Sequence, residues 1–392
     1  MTANPMNYQQ LLALFKETHC ELQHKAARSV DTALVIRNWL FGWYIVEFEQ
    51  GGAERTVLYG KSLINRLSQE LKSLGLKGIS PTSLKQCRTF YLAYEKIGQA
   101  LPDQCRGKLR ISEVLQALPA KSENELPEIQ QALPVISFEV LHNIPQIVHE
   151  LSTTLAGSFK LGWTHYVALL TISNADERSF YEIEAYHNSW GARELERQIA
   201  ASLFERLALS RDKEEICQLA QKGQVVEKAT DIIKNPFVLE FLGLEEKSSY
   251  SEHALETAII NHLEHFLLEL GKGFLFEARQ KRFTFDNDHF YVDLVFYNRL
   301  LRCYVLIDLK RDKLTHQDLG QMQMYVNYFD RYVKTDDELP TIGIVLCHRK
   351  NDALVELTLP KDSNIFASKY QLYLPSKEEL KRELEEAAGI KH

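Results

Sequence analysis

The chain of 392 residues is poor in cysteine and methionine and has no long apolar run. Its six cysteines, at positions 20, 87, 105, 217, 303 and 347, are scattered without a C-x-x-C pair. That spacing argues against zinc ribbons and disulfide scaffolds and for a reducing compartment. No apolar stretch approaches the roughly 18 residues that a membrane-spanning helix needs. The first twenty residues lack a basic start and a cleavage site, so no signal peptide is expected and a cytoplasmic location is. No G-x-x-x-x-G-K-[ST] loop is present, which excludes a P-loop motor within the chain. His262-Leu263-Glu264-His265 has its histidines three apart rather than four, so it is not the H-E-x-x-H zinc motif. Asp286-Asn287-Asp288 begins like a calcium loop but lacks the later glycine and glutamate, and reads as a turn. Positive charge is also short, with a formal net of −7.

That deficit is uneven. Residues 61–90 carry Lys61, Arg66, Lys72, Lys77, Lys85 and Arg88 against Glu70, a local net of +5. A basic surface of this kind binds phosphate even on an acidic protein. Lys61–Leu74 and Pro81–Ile97 have helical spacing, with Gly75 and Gly78 between them and Ser80-Pro81 as a cap and first-turn pair. Two short helices with basic residues on the second suggest a helix-turn-helix-like element, and equally a helical hairpin with a solvated basic face. Upstream, Tyr8–Leu40 reads as helix, Leu40–Phe48 is aromatic-rich and Gly51-Gly52 breaks it. The expected organisation is a helical DNA-binding domain at 1–100, a linker or insertion at 101–160 with a short helix at Arg110–Leu118, and a helical middle region at 161–245 that belongs with the N-terminal part. A C-terminal domain at 246–392 completes it. In the middle region Arg193 and Arg197 with Glu194 and Glu196 read as surface ion pairs of little energetic weight.

The densest chemistry lies at Phe274–Tyr328. Phe274–Phe285, His289–Tyr297 and Leu301–Leu309 alternate apolar and polar residues as strands do. Ser251 caps a helix at Glu252–Leu270 before them, a helix near Thr315–Tyr332 follows, and Thr341–Cys347 and Tyr370–Leu374 supply further strands. Asp293 interrupts one apolar run and Asp308-Leu309-Lys310 ends another. Carboxylates in such strands are costly unless paired or metal-bound. A hairpin would bring both acids and the amine together at a sheet edge, where two carboxylates and a backbone carbonyl suit Mg²⁺. The simpler alternative is an Asp–Lys ion pair closing a hairpin.

Asp293, a strand break and Asp308-x-Lys310 resemble the signature of PD-(D/E)XK nucleases. The longer string, Phe266–Phe274, Arg279-Gln280, Asp293–Tyr297, Asp308–Lys310 and Gly320–Met322, resembles the YhcG family within them. Two positions depart from the pattern: Val292 stands where a proline is nominal, and Asp308 where glutamate is usual. The resemblance implies an α+β multidomain protein with a helical N-terminal part and a restriction-endonuclease-like αβββαβ domain. It implies a metal-dependent DNA endonuclease of defence, DNA-processing or mobile-element biology, with Asp293, Asp308, Lys310 and Gln321 as catalytic residues. Mg²⁺, replaceable by Mn²⁺, would be held by Asp293, Asp308 and the Leu309 carbonyl, with Glu256 as a third acid and Glu252 and Glu264 as alternatives to it. DNA would be gripped by Lys77, Lys85, Arg88, Arg279 and Lys281, and a homodimer would strengthen the grip. The competing expectation is a DNA-binding or assembly protein whose nuclease fold has decayed.

Overall fold

The computed structural model describes residues 11–16, 18–19, 30–50, 61–99, 149, 151–209, 213–244, 250–360, 362–376, 378 and 380. The break at Gly51-Gly52, the helix at Arg110–Leu118, most of the linker and the boundary at 245–249 lie outside them. The chain forms two compact units, Met1–Arg178 and Ser179–His392.

The first unit is built on α1 (Val30–Gln50), α2 (Lys61–Ser73), α3 (Pro81–Ala93) and α4 (Trp163–Leu169). Helix α1 runs unbroken through the aromatic-rich stretch instead of ending at Leu40. Its side chains from Val35 to Phe48 are buried on nearly every side, among them Trp39, Phe41, Trp43, Tyr44 and Ile45. A helix apolar all round shows no stripe, which is why periodicity missed its extent. Helix α3 crosses it closely at Gly42, where a Cβ would lie 2.0 Å from the Cys87 carbonyl oxygen. Trp39, Phe90, Phe159 and Tyr166 pack ring against ring at the centre, and Trp163 meets Phe90 edge-on at 5.3 Å. Ser80 caps α3 by accepting a hydrogen bond from Ser83 N.

The second unit begins within α5 (Ala175–His187) and continues through α6 (Ala192–Ala200), α7 (Leu203–Ala208) and α8 (Lys213–Lys222). A six-stranded mixed sheet follows in the order β1-β6-β5-β4-β3-β2. Strand β2 (Phe274–Phe285) runs as expected, while β3 spans Asp288–Asn298 and β5 spans Ile342–Arg349. Strand β4 (Cys303–Lys313) continues four residues past its expected end, which places Lys310 within the strand. Strand β6 (Ile365–Gln371) starts earlier than expected, its apolar pattern masked by buried Ser368. A two-residue β1 (Phe237–Val238) pairs with β6 and carries no periodicity of its own. Strands β2, β3 and β4 are antiparallel; β4, β5, β6 and β1 are parallel.

The expected helix at Glu252–Leu270 is two helices, α9 (Glu252–Asn261) and α10 (Leu263–Leu270), hinged at His262. They cover one sheet face with Leu255, Ile259, Phe266 and Leu270 against Leu294, Phe296, Ile307 and Leu309. Helix α11 (His316–Tyr332) covers the other with Leu319, Met322, Tyr325 and Phe329 against Val295, Leu306 and Val345. Thr315 and Asp318 form a capping box at its start. A short α12 (Asp352–Thr358) lies between β5 and β6.

Charges that the sequence presents as surface features are buried in this unit. Arg206 on α7 and Glu269 on α10 form an ion pair with neither side chain exposed. Glu269 also accepts from Val238 N at 3.0 Å, its main-chain oxygen accepts from Lys234 Nζ, and Arg206 donates to the carbonyls of Ala201 and Pro236. Arg197 keeps its expected partner Glu194 at 3.2 Å, but it also sits 2.8 Å from Glu240 and 3.7 Å from Glu269, so the pair belongs to this network and not to the open surface. Burial alone would push Glu269 up, but Arg206 and Lys234 hold it below the usual carboxylate range. Lys234 is pushed down to about 8 by burial. Such a network is satisfied only as a whole, and it ties α6 and α7 to the helix that backs the sheet.

Candidate active site

The site sits where the sheet forks. The ladder between β3 and β4 ends at Leu294↔Ile307, and the next residues outward are Asp293 and Asp308. Beyond them β3 stays with β2 while β4 stays with β5, down to Lys310↔Cys347. The fork deprives Leu309 N–H of a strand partner, and Asp293 Oδ2 accepts from it at 2.9 Å. The N–H and C=O of one strand residue point the same way, so the Leu309 carbonyl faces the same gap.

Asp308 and Lys310 lie on one face of β4, toward α11. Asp308 is 3% exposed, and its Oδ2 is buried 2.9 Å from Lys310 Nζ without a well-directed hydrogen bond. Burial first, and then the neighbouring Asp293 carboxylate, push Asp308 up to about 7. Burial also raises Asp293, against the pull of Leu309 N–H and the Gln280 amide. Burial works against the charge on Lys310, yet Asp308 holds its amine up to about 12. Lys310 Nζ is also 4.0 Å from Glu252 and 3.9 Å from Asp318. Gln321, one turn into α11, donates to the hydroxyl of buried Tyr325.

Glu256 stands one contact away. Arg279 Nε donates to its Oε1 and Gln280 Nε2 donates to its Oε2 at 2.8 Å. The same Gln280 nitrogen reaches Asp293 Oδ1 at 2.8 Å. Gln280 lies opposite Asp293 between the paired Arg279↔Leu294 and Lys281↔Val292, with φ at +46°. A glutamine held there costs conformational energy, repaid by an amide that bridges two carboxylates. No pattern of residue types announces that role, although Gln280 stands beside Arg279 in the family-like string. Val292, in the nominal proline position, is buried in the cluster under α11.

The structure thus brings Asp293, Asp308, Lys310 and the Leu309 carbonyl together and joins Glu256 to them through Gln280. Arg279 is engaged with Glu256 and Thr257, and Lys281 pairs with Glu277 at 2.9 Å. In the first unit Lys77 and Lys85 are exposed, whereas Arg88 donates to Glu49 on α1 at 2.8 Å. Residues 74–80 link α2 to α3, a longer connection than the roughly 3–4 residues of a helix-turn-helix.

The donor set fits a hard divalent cation. Two adjacent carboxylates and a carbonyl are oxygen ligands, and the unsatisfied Asp308 oxygen offers a further lone pair. Among the described residues no three acids, histidines or cysteines gather as a ready metal cage. Mg²⁺ does not require one, since it keeps much of its water and commonly takes only one or two carboxylates.

Residues 230–385 match the YhcG PDDEXK nuclease domain, and residues 16–127 and 134–206 match the DUF1016 N-terminal domain. Over 361 residues the chain is 38% identical to the protein of Escherichia coli (strain K12) named "Putative nuclease YhcG", spanning 92% of this chain and 89% of that one. The chain belongs to the YhcG family of PDDEXK nucleases. The N-terminal match ends at Arg206, so the family's N-terminal domain reaches past the division at Arg178 and into the buried network. Among solved structures, the crystal structure of a repair endonuclease from Pyrococcus abyssi matches 33% of this chain and 50% of that chain. At 17% identity and a TM-score of 0.22 it bears on nothing further.

Proposed function

We propose that the chain is a metal-dependent DNA endonuclease, a reading carried by the convergence of Asp293, Asp308, Lys310 and the Leu309 carbonyl at the sheet fork. Asp293, Asp308 and the Leu309 carbonyl hold Mg²⁺, with Mn²⁺ able to replace it. Bound there, the ion supplies Lewis-acid polarisation of the phosphoryl oxygen and a water of lowered pKa. Leu309 N–H and Gln280 orient Asp293 and favour its charged form against the burial that opposes it. Lys310 orients the attacking water and offsets the negative charge that develops on phosphorus oxygens. Gln321, steadied by Tyr325, donates its amide to a water or phosphate oxygen. Glu256, itself held by Arg279, acts through Gln280 to fix the position of Asp293, and it would be the third acid beside a bound ion.

DNA reaches this site through the first unit, where Lys77 and Lys85 present free charge; Arg88 contributes less because Glu49 neutralises it. A homodimer would raise the effective concentration of these contacts. A cytoplasmic setting accords with the free cysteines 87, 217, 303 and 347. Among the described residues no helix is long and apolar enough to cross a membrane. The test is cleavage of labelled DNA with Mg²⁺ by wild type, Asp308→Ala and Lys310→Ala. Each variant loses about 100-fold or more in rate. Variants that cut as fast as wild type, or a wild type that binds DNA without cutting it, refute the assignment.

A further inference from the structure

Beside the fork lies a cleft of about 330 Å³ between the far end of β2 and the outer face of α11. That volume is at the small end of the range for ligand pockets, roughly 300–1,000 Å³. Phe283, Phe285, Tyr328 and Tyr332 supply its aromatic surface, and Arg331 its one charge; no carboxylate lines it. Phe283 stacks on Tyr328 with centroids 4.1 Å apart, which makes a fixed floor. Phe285 and Tyr332 stand at the rim, 6.5 Å apart, and are 55% and 63% exposed. Tyr332 also packs on Tyr328, with centroids 5.3 Å apart, yet both rim rings keep more than half of their surface open beside the cleft, more than such packing requires.

Polar groups complete the lining. Gln323 Nε2 donates to Asn327 Oδ1 at 3.2 Å, leaving the Asn327 amide nitrogen as a donor and the Gln323 carbonyl oxygen as an acceptor. A flat aromatic slot with a donor and an acceptor at its edge and a cation at its rim has the chemistry of a nucleobase site. Bases stack on aromatic rings and present mixed donors and acceptors at their edges, and the attached phosphate takes the cation. One buried ring lies between the cleft and the candidate active site. Tyr325, which Gln321 bonds, meets Phe283 edge-on at 5.6 Å. From Gln321 to Tyr328 the helix rises about 11 Å, within a few nucleotides of a phosphate at the fork.

We infer that this cleft binds an unstacked base of the nucleic-acid substrate, so that the enzyme engages single-stranded or branched DNA in preference to a continuous duplex. Bases within a duplex are stacked and paired, and none can enter the slot without being unpaired and flipped out. The inference rests on the reading of DNA as substrate and specifies its form.

The experiment uses the full chain in EDTA, so that no cleavage intervenes. Oligonucleotides carrying 2-aminopurine are titrated as single strands and as duplexes, with fluorescence quenching and anisotropy as readouts. Wild type quenches the single-strand probe and binds it more tightly than the duplex. The double variant Phe285→Ala, Tyr332→Ala loses about tenfold or more in single-strand affinity together with the quenching, as removal of base stacking does. It loses less than twofold on duplex. The conservative pair Phe285→Tyr, Tyr332→Trp retains binding. Circular dichroism verifies the fold of each variant, and both changed side chains are more than half exposed. Unchanged single-strand affinity in the double variant, equal losses on both forms, or a wild type indifferent to strandedness overturns the inference. A separate cleavage assay with Mg²⁺ keeps the two readings apart. A chain that cuts nothing yet shows this binding pattern sinks hydrolysis and leaves the cleft standing. A chain that cuts single strands and duplex equally well, with and without Phe285 and Tyr332, does the reverse.

Discussion

On the proposed reading Asp308 favours a bound cation at the expense of the empty fold, and that trade can be measured by heating the protein. In the folded chain its carboxyl titrates at about 7 against an ordinary 3.8, because burial and Asp293 both oppose its charge. The folded state therefore holds the proton more tightly than the unfolded one. Stability from this group is complete below 3.8 and is lost as pH rises through about 7. A shift of about three units at about 1.4 kcal/mol each sets a ceiling of about 4 kcal/mol on the loss at about pH 8. The figure already includes the attraction of Lys310, 2.9 Å away. Asp308→Asn removes the charge while keeping the shape, so in EDTA at about pH 8 it should raise stability by about 1–4 kcal/mol. For a unit of this size that is roughly 3 °C or more in Tm. The gap should close as pH falls toward about 4. Mg²⁺ at about pH 8 should raise the wild-type Tm and leave Asp308→Asn nearly unmoved, since the ion binds only the folded wild-type site. Differential scanning fluorimetry across pH, with and without Mg²⁺, reads all three effects. A variant that melts at or below wild type at about pH 8, or a gap equal at both pH values, refutes the reasoning.

Glu269→Ala should destabilise the second unit by about 3–5 kcal/mol, because it strands Arg206 and Lys234 without their counter-charge; denaturant unfolding of this unit measures it. Gly42→Ala places a Cβ 2.0 Å from the Cys87 carbonyl and should cost the first unit about 1–3 kcal/mol or more as α1 and α3 are forced apart, seen as an earlier melting transition. Lys77→Ala with Lys85→Ala should reduce the slope of log affinity for DNA against log salt by roughly two units, whereas Arg88→Ala, already paired with Glu49, should change it by less than one. Equal slopes for all three proteins would mean that DNA is held elsewhere. Gln280→Ala should lower the cleavage rate with little change in DNA affinity, and it should shift the pH–rate profile because Asp293 loses an amide that holds its charge.

Much of the second unit is legible residue by residue. Period-two alternation marked β2, β3 and β4, because successive side chains point to opposite faces of the sheet and the pleat writes any difference between those faces into the chain. Asp293 and Asp308-Leu309-Lys310 stood out as charges inside apolar runs, an anomaly that needs no structure to notice. The N-cap serines 80 and 251 were readable because capping is local, involving a side chain and an N–H three residues on.

What required the tertiary structure is whatever depends on residues distant in sequence. Arg197, Arg206, Lys234 and Glu269 look like solvated charges in any window of the chain. Their burial follows from α6, α7 and α10 converging, and local patterns carry no information on that. Gln280 became a bridge only because β2 bends opposite Asp293 and turns its backbone to φ +46°. The split of the first nuclease helix at His262 and the unbroken run of α1 to Gln50 were set by the surfaces they pack against, not by a breaker or a stripe. Composition and spacing determined which residues could hold a cation and assist hydrolysis. Only the fork of the sheet, by ending one ladder between Leu294 and Asp293, decided that they meet and that Leu309 N–H bonds Asp293 in the gap it leaves.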